Sequence, residues 1–250
     1  MIEYTHAGMS RSRLAMYARK LKPELMSLRQ VITKQSWSDP RSFVLLPDDI
    51  FIRAAVQKLV RDLGRQDHVV VCGMGGSSVG TKTLRECLLT PQMGRVSFAE
   101  NLDAVFTRRM IDEFSTDLSK RKKCAVVIVS KSGKTIETAA QGALFVQLLR
   151  KRNLLSNVVV VTDTGSPLGV AGLENKVRVI DIPKTVGGRY SVLSSAGMVP
   201  FALVGGNITP LIHGADSMRA RCVSYGEKNP ALVLATIAYE HLVQGRNILN

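Results

Sequence analysis

The sequence predicts an α/β protein, a parallel sheet flanked by helices, with a helical extension at its N-terminus. Two patterns and one bulk property predict it. Five short runs, "HVVVC" (68–72), "VSFAEN" (96–101), "AVVIVS" (125–130), "NVVVVTD" (157–163) and "VRVIDI" (177–182), are β-branched and almost continuously apolar. Strands of that kind are buried on both faces, as in a parallel sheet. Helical-looking segments separate most of the runs, and such alternation builds a sheet covered by helices. With 45% apolar and 5% aromatic residues among 250, the composition is that of an ordinary globular protein with a sizeable core.

Residues 1–65 read as a helical segment. Residues 10–35 form a less regular helix candidate. "PDDIFIRAAVQKLVRDLG" (47–64) is better defined: it has Pro47 and two acids at its start and Gly64 at its end. Ile52, Ala55, Val56, Leu59, Val60 and Leu63 recur on one helical face. Residues 66–206 then form the α/β domain. In it "TIETAAQGALFVQLLRKR" opens a helix near Thr135, with Ile136, Ala140, Ala143, Leu144 and Leu148 expected on one face. Arg150–Arg152 fall in its last turn, where cations suit the helix dipole. From about residue 195 the pattern is helical again, and 207–250 form a helical segment. There Asn229 is placed to cap a helix that Pro230 starts and Gly245 ends.

Thirty-four Lys and Arg against twenty Asp and Glu leave a formal charge of +14. The densest basic runs, "KRKK" (120–123) and "RKR" (150–152), are not interleaved with aromatics, and the chain has one Trp. Base stacking therefore has no support, and we expect no nucleic-acid partner. No apolar stretch approaches the ~20 residues that span a bilayer, and no apolar leader follows the start. We expect no membrane partner and a cytoplasmic location. Cys72, Cys87, Cys124 and Cys222 form no CxxC pair, so reduced thiols are expected and a metal site is not.

The chemistry-bearing residues follow the apolar runs. "CGMGGSSVGTKT" (72–83) fails the dinucleotide fingerprint, because Ser78 stands where its third glycine belongs. It fails the ATP-type loop as well, because Thr81 separates Gly80 from Lys82. What remains is a flexible backbone at Gly75 and Gly76, the hydroxyls of Ser77 and Ser78, and a helix starting near Ser78. That suits a single phosphate, or else a tight turn with no ligand. "SKSGKT" (130–135) repeats the design at another strand end, with hydroxyls, two lysines and a glycine before a helix. Two such loops in one sheet favour a phosphate monoester. In "KTVGGRYSVLSSAG" (184–197), Gly187 and Gly188 precede Arg189. The turn can aim a guanidinium at an anionic intermediate or carry an ordinary surface charge.

Taken in order, "GMGGSSVG", "SKSGKTIET" and "GGRYSVLSSAG" resemble the three signature segments of the glucose-6-phosphate isomerase (phosphoglucose isomerase) family. "VVVTDTGSPL" and "NPALVLA" agree, and the resemblance covers essentially residues 65–250. It implies a sugar isomerase (SIS) fold and interconversion of glucose 6-phosphate and fructose 6-phosphate through a cis-enediolate. It implies no metal and no cofactor, hexose 6-phosphate as ligand, and a homodimer for the complete enzyme. It assigns the phosphate to Gly76, Ser77, Ser130, Lys131, Ser132 and Thr135, and substrate contact to Gly188. Arg189 matches the catalytic arginine that faces the reacting carbons. Lys134 departs from the family, which has threonine there. None of His6, His68, His213 and His241 matches the family's catalytic histidine, and Glu137 is not read as the base. The family's glutamate base, ring-opening histidine and late lysine are expected beyond Asn250. On that expectation the chain is the first part of such an isomerase, inactive alone. A stand-alone SIS domain that senses sugar phosphate is the alternative.

Overall fold

The computed structural model describes residues 10–246, so His6 lies outside the described residues. The chain divides into two compact units, residues 48–211 and the paired segments 1–47 and 212–250. The paired segments open with α1 (Arg11–Lys20) and α2 (Lys22–Lys34). Pro23 sits in the first turn of α2, where a missing N–H costs nothing, and this places the break between the two helices at Leu21.

The 48–211 unit is built on one sheet. It starts with α3 (Ile50–Leu63), whose expected face is turned inward at Ile52, Val56 and Leu59. Then come β1 (His68–Cys72), α4 (Gly76–Leu88), β2 (Arg95–Ala99), α5 (Ala104–Ser119) and β3 (Cys124–Val129). They are followed by α6 (Ile136–Arg150), β4 (Val158–Thr162), α7 (Pro167–Glu174), β5 (Arg178–Asp181) and α8 (Ser195–Leu203). All four strand pairings are parallel, in the order β2-β1-β3-β4-β5. Every residue of β1, β3 and β4 is buried, as their unbroken apolar runs require, whereas the edge strands β2 and β5 are only partly covered. On one face Phe114 of α5 meets Phe145 of α6 edge to face, with ring centroids 5.6 Å apart and both rings fully buried.

One expectation about orientation is corrected. Ile136, Ala140, Ala143 and Leu144 of α6 face outward, and Leu148 is half-buried. The buried face is Thr138, Gln141, Gly142, Phe145 and Leu149. Gly142 marks it: a Cβ there would stand 2.8 Å from Ile128 Cδ1, so the helix packs closely on β3 at this point. The buried Gln141 then finds partners at Asn101 O (2.5 Å) and Thr107 Oγ1 (3.1 Å).

The chain continues through α9 (Ile208–Cys222) to α10 (Pro230–Val243). Asn229 caps α10 by accepting from Leu232 N, and Gly245 follows the helix in the left-handed region. In this unit the Glu240 carboxylate accepts from Tyr17 OH at 2.6 Å and pairs with Arg13. Among the described residues no helix is long and apolar enough to cross a membrane.

Candidate functional site

In an open parallel sheet, ligands bind where successive connections leave a strand in opposite directions. Here that point lies between β1 and β3, since the chain passes from β1 to β2 on one side and returns to β3 on the other. The loops leaving β1 and β3 are the two hydroxyl-rich loops of the sequence. A cavity of about 520 Å³ opens at this strand-exit edge. Gly76 and Ser77 come to it from the start of α4, and Ser130, Lys131, Ser132 and Thr135 from the turn before α6. Gly188 comes from the segment after β5, and Met74, Asp163 and Lys184 complete the lining.

Seven of the eight residues singled out in the sequence therefore share one cavity. The eighth, Arg189, is the next residue after Gly188 and is exposed, but it is not among the lining residues. Lys134 is exposed and outside the lining as well; Glu137 is half-buried and also outside it.

Backbone geometry explains the glycines of the first loop. Gly75 has φ 54° and ψ −120°, a conformation open in practice only to glycine. At Gly76 a Cβ would stand 2.6 Å from Gly188 O and 2.9 Å from Arg189 N. The first and third motifs thus touch through backbone, and only glycine permits it. Ser191 holds the contact, its hydroxyl lying 2.8 Å from Gly188 O and 3.3 Å from Gly76 O.

The two loop serines have different tasks. Ser78 is fully buried and donates to Glu100 Oε2 at 2.9 Å, while Lys82 also pairs with Glu100. Burial pushes the Glu100 carboxyl up, but the hydrogen bonds from Lys82 and Ser78 outweigh it and hold the group below its ordinary value. Ser77 is the one that lines the cavity. Cys72, just before the loop, is no nucleophile, because burial pushes its thiol up to about 12.

Helix ends distinguish this site from the rest of the unit. Asp49, Asp103, Ser166 and Ser194 cap α3, α5, α7 and α8 by accepting a backbone N–H from the first turn. The helices that begin at the cavity, α4 and α6, have no side-chain cap. Thr135 stands at the cap position of α6, yet its hydroxyl accepts from Ser130 Oγ at 3.2 Å and caps nothing. In α4 Ser77 N–H donates to Met74 O (3.1 Å) and Ser78 N–H to Gly75 O (3.0 Å), which leaves Gly76 N–H, and with it the first-turn N–H groups of α6, as the donors that an anion can satisfy and the dipoles favour. The turn is held by Gly133 N donating to Ser130 O (3.1 Å) and by the Thr162 hydroxyl donating to the same oxygen (2.6 Å).

A parallel sheet in this order, with its hydroxyl- and lysine-lined cavity at the strand-exit edge, defines an α/β protein of the sugar isomerase type. The chain belongs to the phosphoglucose isomerase family, whose model matches residues 61–246. It is 35% identical over 235 residues to a glucose-6-phosphate isomerase of Rubrobacter xylanophilus, covering 84% of this chain and 51% of that protein. It is 31% identical over 179 residues to a probable glucose-6-phosphate isomerase of Methanococcus maripaludis, covering 68% and 40%. Among solved structures, a hypothetical protein of Thermus thermophilus superposes with a TM-score of 0.77 at 26% identity, over 90% of this chain and 54% of that one. A glucose-6-phosphate isomerase of Chlamydia trachomatis gives 0.65 at 26%, over 76% and 38%. The chain spans about half the length of the curated relatives it matches.

Proposed function

We propose that this chain provides the phosphate-holding part of a glucose-6-phosphate isomerase, acting on hexose 6-phosphate without metal or cofactor. The observation that supports it most is the convergence of the three motif loops on one cavity beside two uncapped helix ends. In this reading residues 66–206 are the sugar-phosphate-binding domain, flanked by helical segments 1–65 and 207–250. Ser77, Ser132 and Thr135 donate hydroxyl hydrogens to the phosphate oxygens, Ser130 joins them by turning its hydroxyl from Thr135, Lys131 supplies charge, and Gly76 N–H with the first N–H groups of α6 completes the shell. Charge-assisted bonds to an anion contribute about 1.5–3 kcal/mol each.

The reaction moves a proton between C2 and C1 and passes through an enediolate. Arg189, next to the cavity wall, is the cation that stabilises that charge. Among the described residues the lining contains one carboxylate, Asp163, and no histidine, and the proton-moving base is left unassigned. The complete enzyme is a cytoplasmic homodimer in this reading.

Calorimetric titration of the chain with fructose 6-phosphate and with unphosphorylated fructose tests it. The ester should bind and the free sugar should not, and Ser77→Ala with Ser130→Ala should weaken the ester at least about tenfold. Equal binding of both sugars, or an unchanged affinity in the folded double variant, would sink the reading.

A further inference from the structure

We infer that Glu100, a residue outside the cavity, is a positioning residue for the phosphate: through Ser78 it fixes the first turn of α4, and so the aim of the Gly76 N–H and the Ser77 hydroxyl. The inference rests on the function proposed above and adds to it a group that touches no ligand. A helix that leaves its N-terminus open to an anion cannot fix its first turn with an ordinary cap, because the cap would take the N–H that the anion needs. Helix α4 has no side-chain cap, and its first turn is held by a neighbouring strand end instead. Glu100 follows β2 directly and is not among the lining residues. Its Oε2 accepts from the buried Ser78 hydroxyl at 2.9 Å, and its Oε1 pairs with Lys82. Ser78 and Lys82 are four residues apart, so one carboxylate holds two successive turns on one face of α4.

The same strand end holds the rest of the loop. Gly73 N, where the chain leaves β1, donates to Ala99 O at 3.3 Å. Asn101 O accepts from Gln141 Nε2 of α6 at 2.5 Å. The end of β2 is thereby tied to both of the helices that begin at the cavity. Charge is balanced there as well as placed. Lys82 pairs with Glu100, so an anion at the start of α4 meets a neutral pair and not a bare carboxylate. Two opposed expectations follow for removal of the carboxylate. If Glu100 acted on the ligand through its charge, any neutral substitute would tighten an anion. If it positions the turn, a substitute that still accepts from Ser78 preserves binding, and one that cannot accept weakens it.

The experiment is calorimetric titration of the 250-residue chain with fructose 6-phosphate and with inorganic phosphate. It compares wild type, Glu100→Ala, Glu100→Gln, Ser78→Ala and the double variant Glu100→Ala with Ser78→Ala, each first shown by urea unfolding to be folded. Glu100→Ala and Ser78→Ala should each weaken both ligands about tenfold. The double variant should bind within about twofold of either single one, because both substitutions break the same bond. Glu100→Gln keeps an acceptor and should stay within about threefold of wild type. Tighter binding by both Glu100 variants, additive losses in the double variant, or stability lost with affinity unchanged in Glu100→Ala and Ser78→Ala would each overturn the inference. All three leave phosphate binding through Ser77 and Ser130 intact. Failure of wild type to bind fructose 6-phosphate overturns the proposed function and this inference with it. If Glu100→Ala does not fold, Ser78→Ala decides: an affinity unchanged there overturns the inference.

Discussion

His68 begins β1 with only 1% of its surface exposed, and its ring lies edge to face with Phe114 at 5.3 Å. Its Nδ1 is 3.0 Å from Asp117 Oδ2 and its Nε2 is 2.9 Å from Ser97 Oγ. Burial foremost, then the charge of Arg95, push the imidazole down to about 4 against the pull of Asp117. The ring is therefore neutral at pH 7, with Nδ1–H donating to Asp117 and Nε2 accepting from Ser97. A serine–histidine–aspartate line invites a catalytic reading, but an imidazole so weakly basic is a poor proton acceptor at neutral pH. Its consequence is for stability. A histidine with a depressed folded pKa contributes fully above its ordinary value of 6.5 and loses that contribution as pH falls towards 4. Urea unfolding from pH 7 to pH 4 should show a loss of up to about 3 kcal/mol from this group. His68→Gln should flatten the profile over that window. An equally steep profile in the variant would assign the acid lability elsewhere. Asp117, which burial pushes up but Lys122 and Arg95 hold below its ordinary value, adds its own loss only at more acid pH.

Helix α6 shows what an element can and cannot tell in advance. Phe145 and Leu149 are fully buried in the core beneath it, whereas Ile136 is 79% exposed on the opposite face. Phe145→Ala should cost about 3–5 kcal/mol by leaving a cavity beside Phe114. Ile136→Gln and Leu144→Gln should each stay within roughly 0.5 kcal/mol. Urea midpoints for the three variants check this, and a large loss at Ile136 would reverse the assignment of faces. The three central strands, β1, β3 and β4, were legible because strands buried on both faces need unbroken apolar runs. The faces of α6 were not, because apolar residues occur all round it. The motif loops were legible for a similar reason, since strand-end glycines and hydroxyls stand out from apolar runs. Asp163 and Lys184 were not singled out, because an acid in "TDTGS" reads as turn chemistry until the pairing of β3 with β4 places it beside Lys131.

At the scale of the molecule, the parallel sheet places its basic runs and its anion-seeking cavity at opposite edges. Residues that lead into the strands lie at one edge, where Lys120–Lys123 precede β3 and Arg150–Arg152 precede β4. The helices α5 and α6 end there, and cations at helix C-termini are stabilising, so the basic runs have a structural use. The anion-seeking cavity lies at the other edge, where α4 and α6 begin. All five strands, the aromatic core of Phe114 and Phe145, and every residue lining the cavity fall within residues 48–211. A domain of about 150 residues buries roughly 68–70% of its chain's surface, enough to fold alone. Residues 48–211 produced by themselves should therefore unfold in one cooperative transition and bind fructose 6-phosphate within about threefold of the 250-residue chain. Circular dichroism during urea unfolding and the same calorimetric titration would measure both. Cooperative unfolding with binding lost would mean that the cradle depends on residues outside 48–211. Loss of cooperativity would mean that the sheet needs the remaining helices to hold its core.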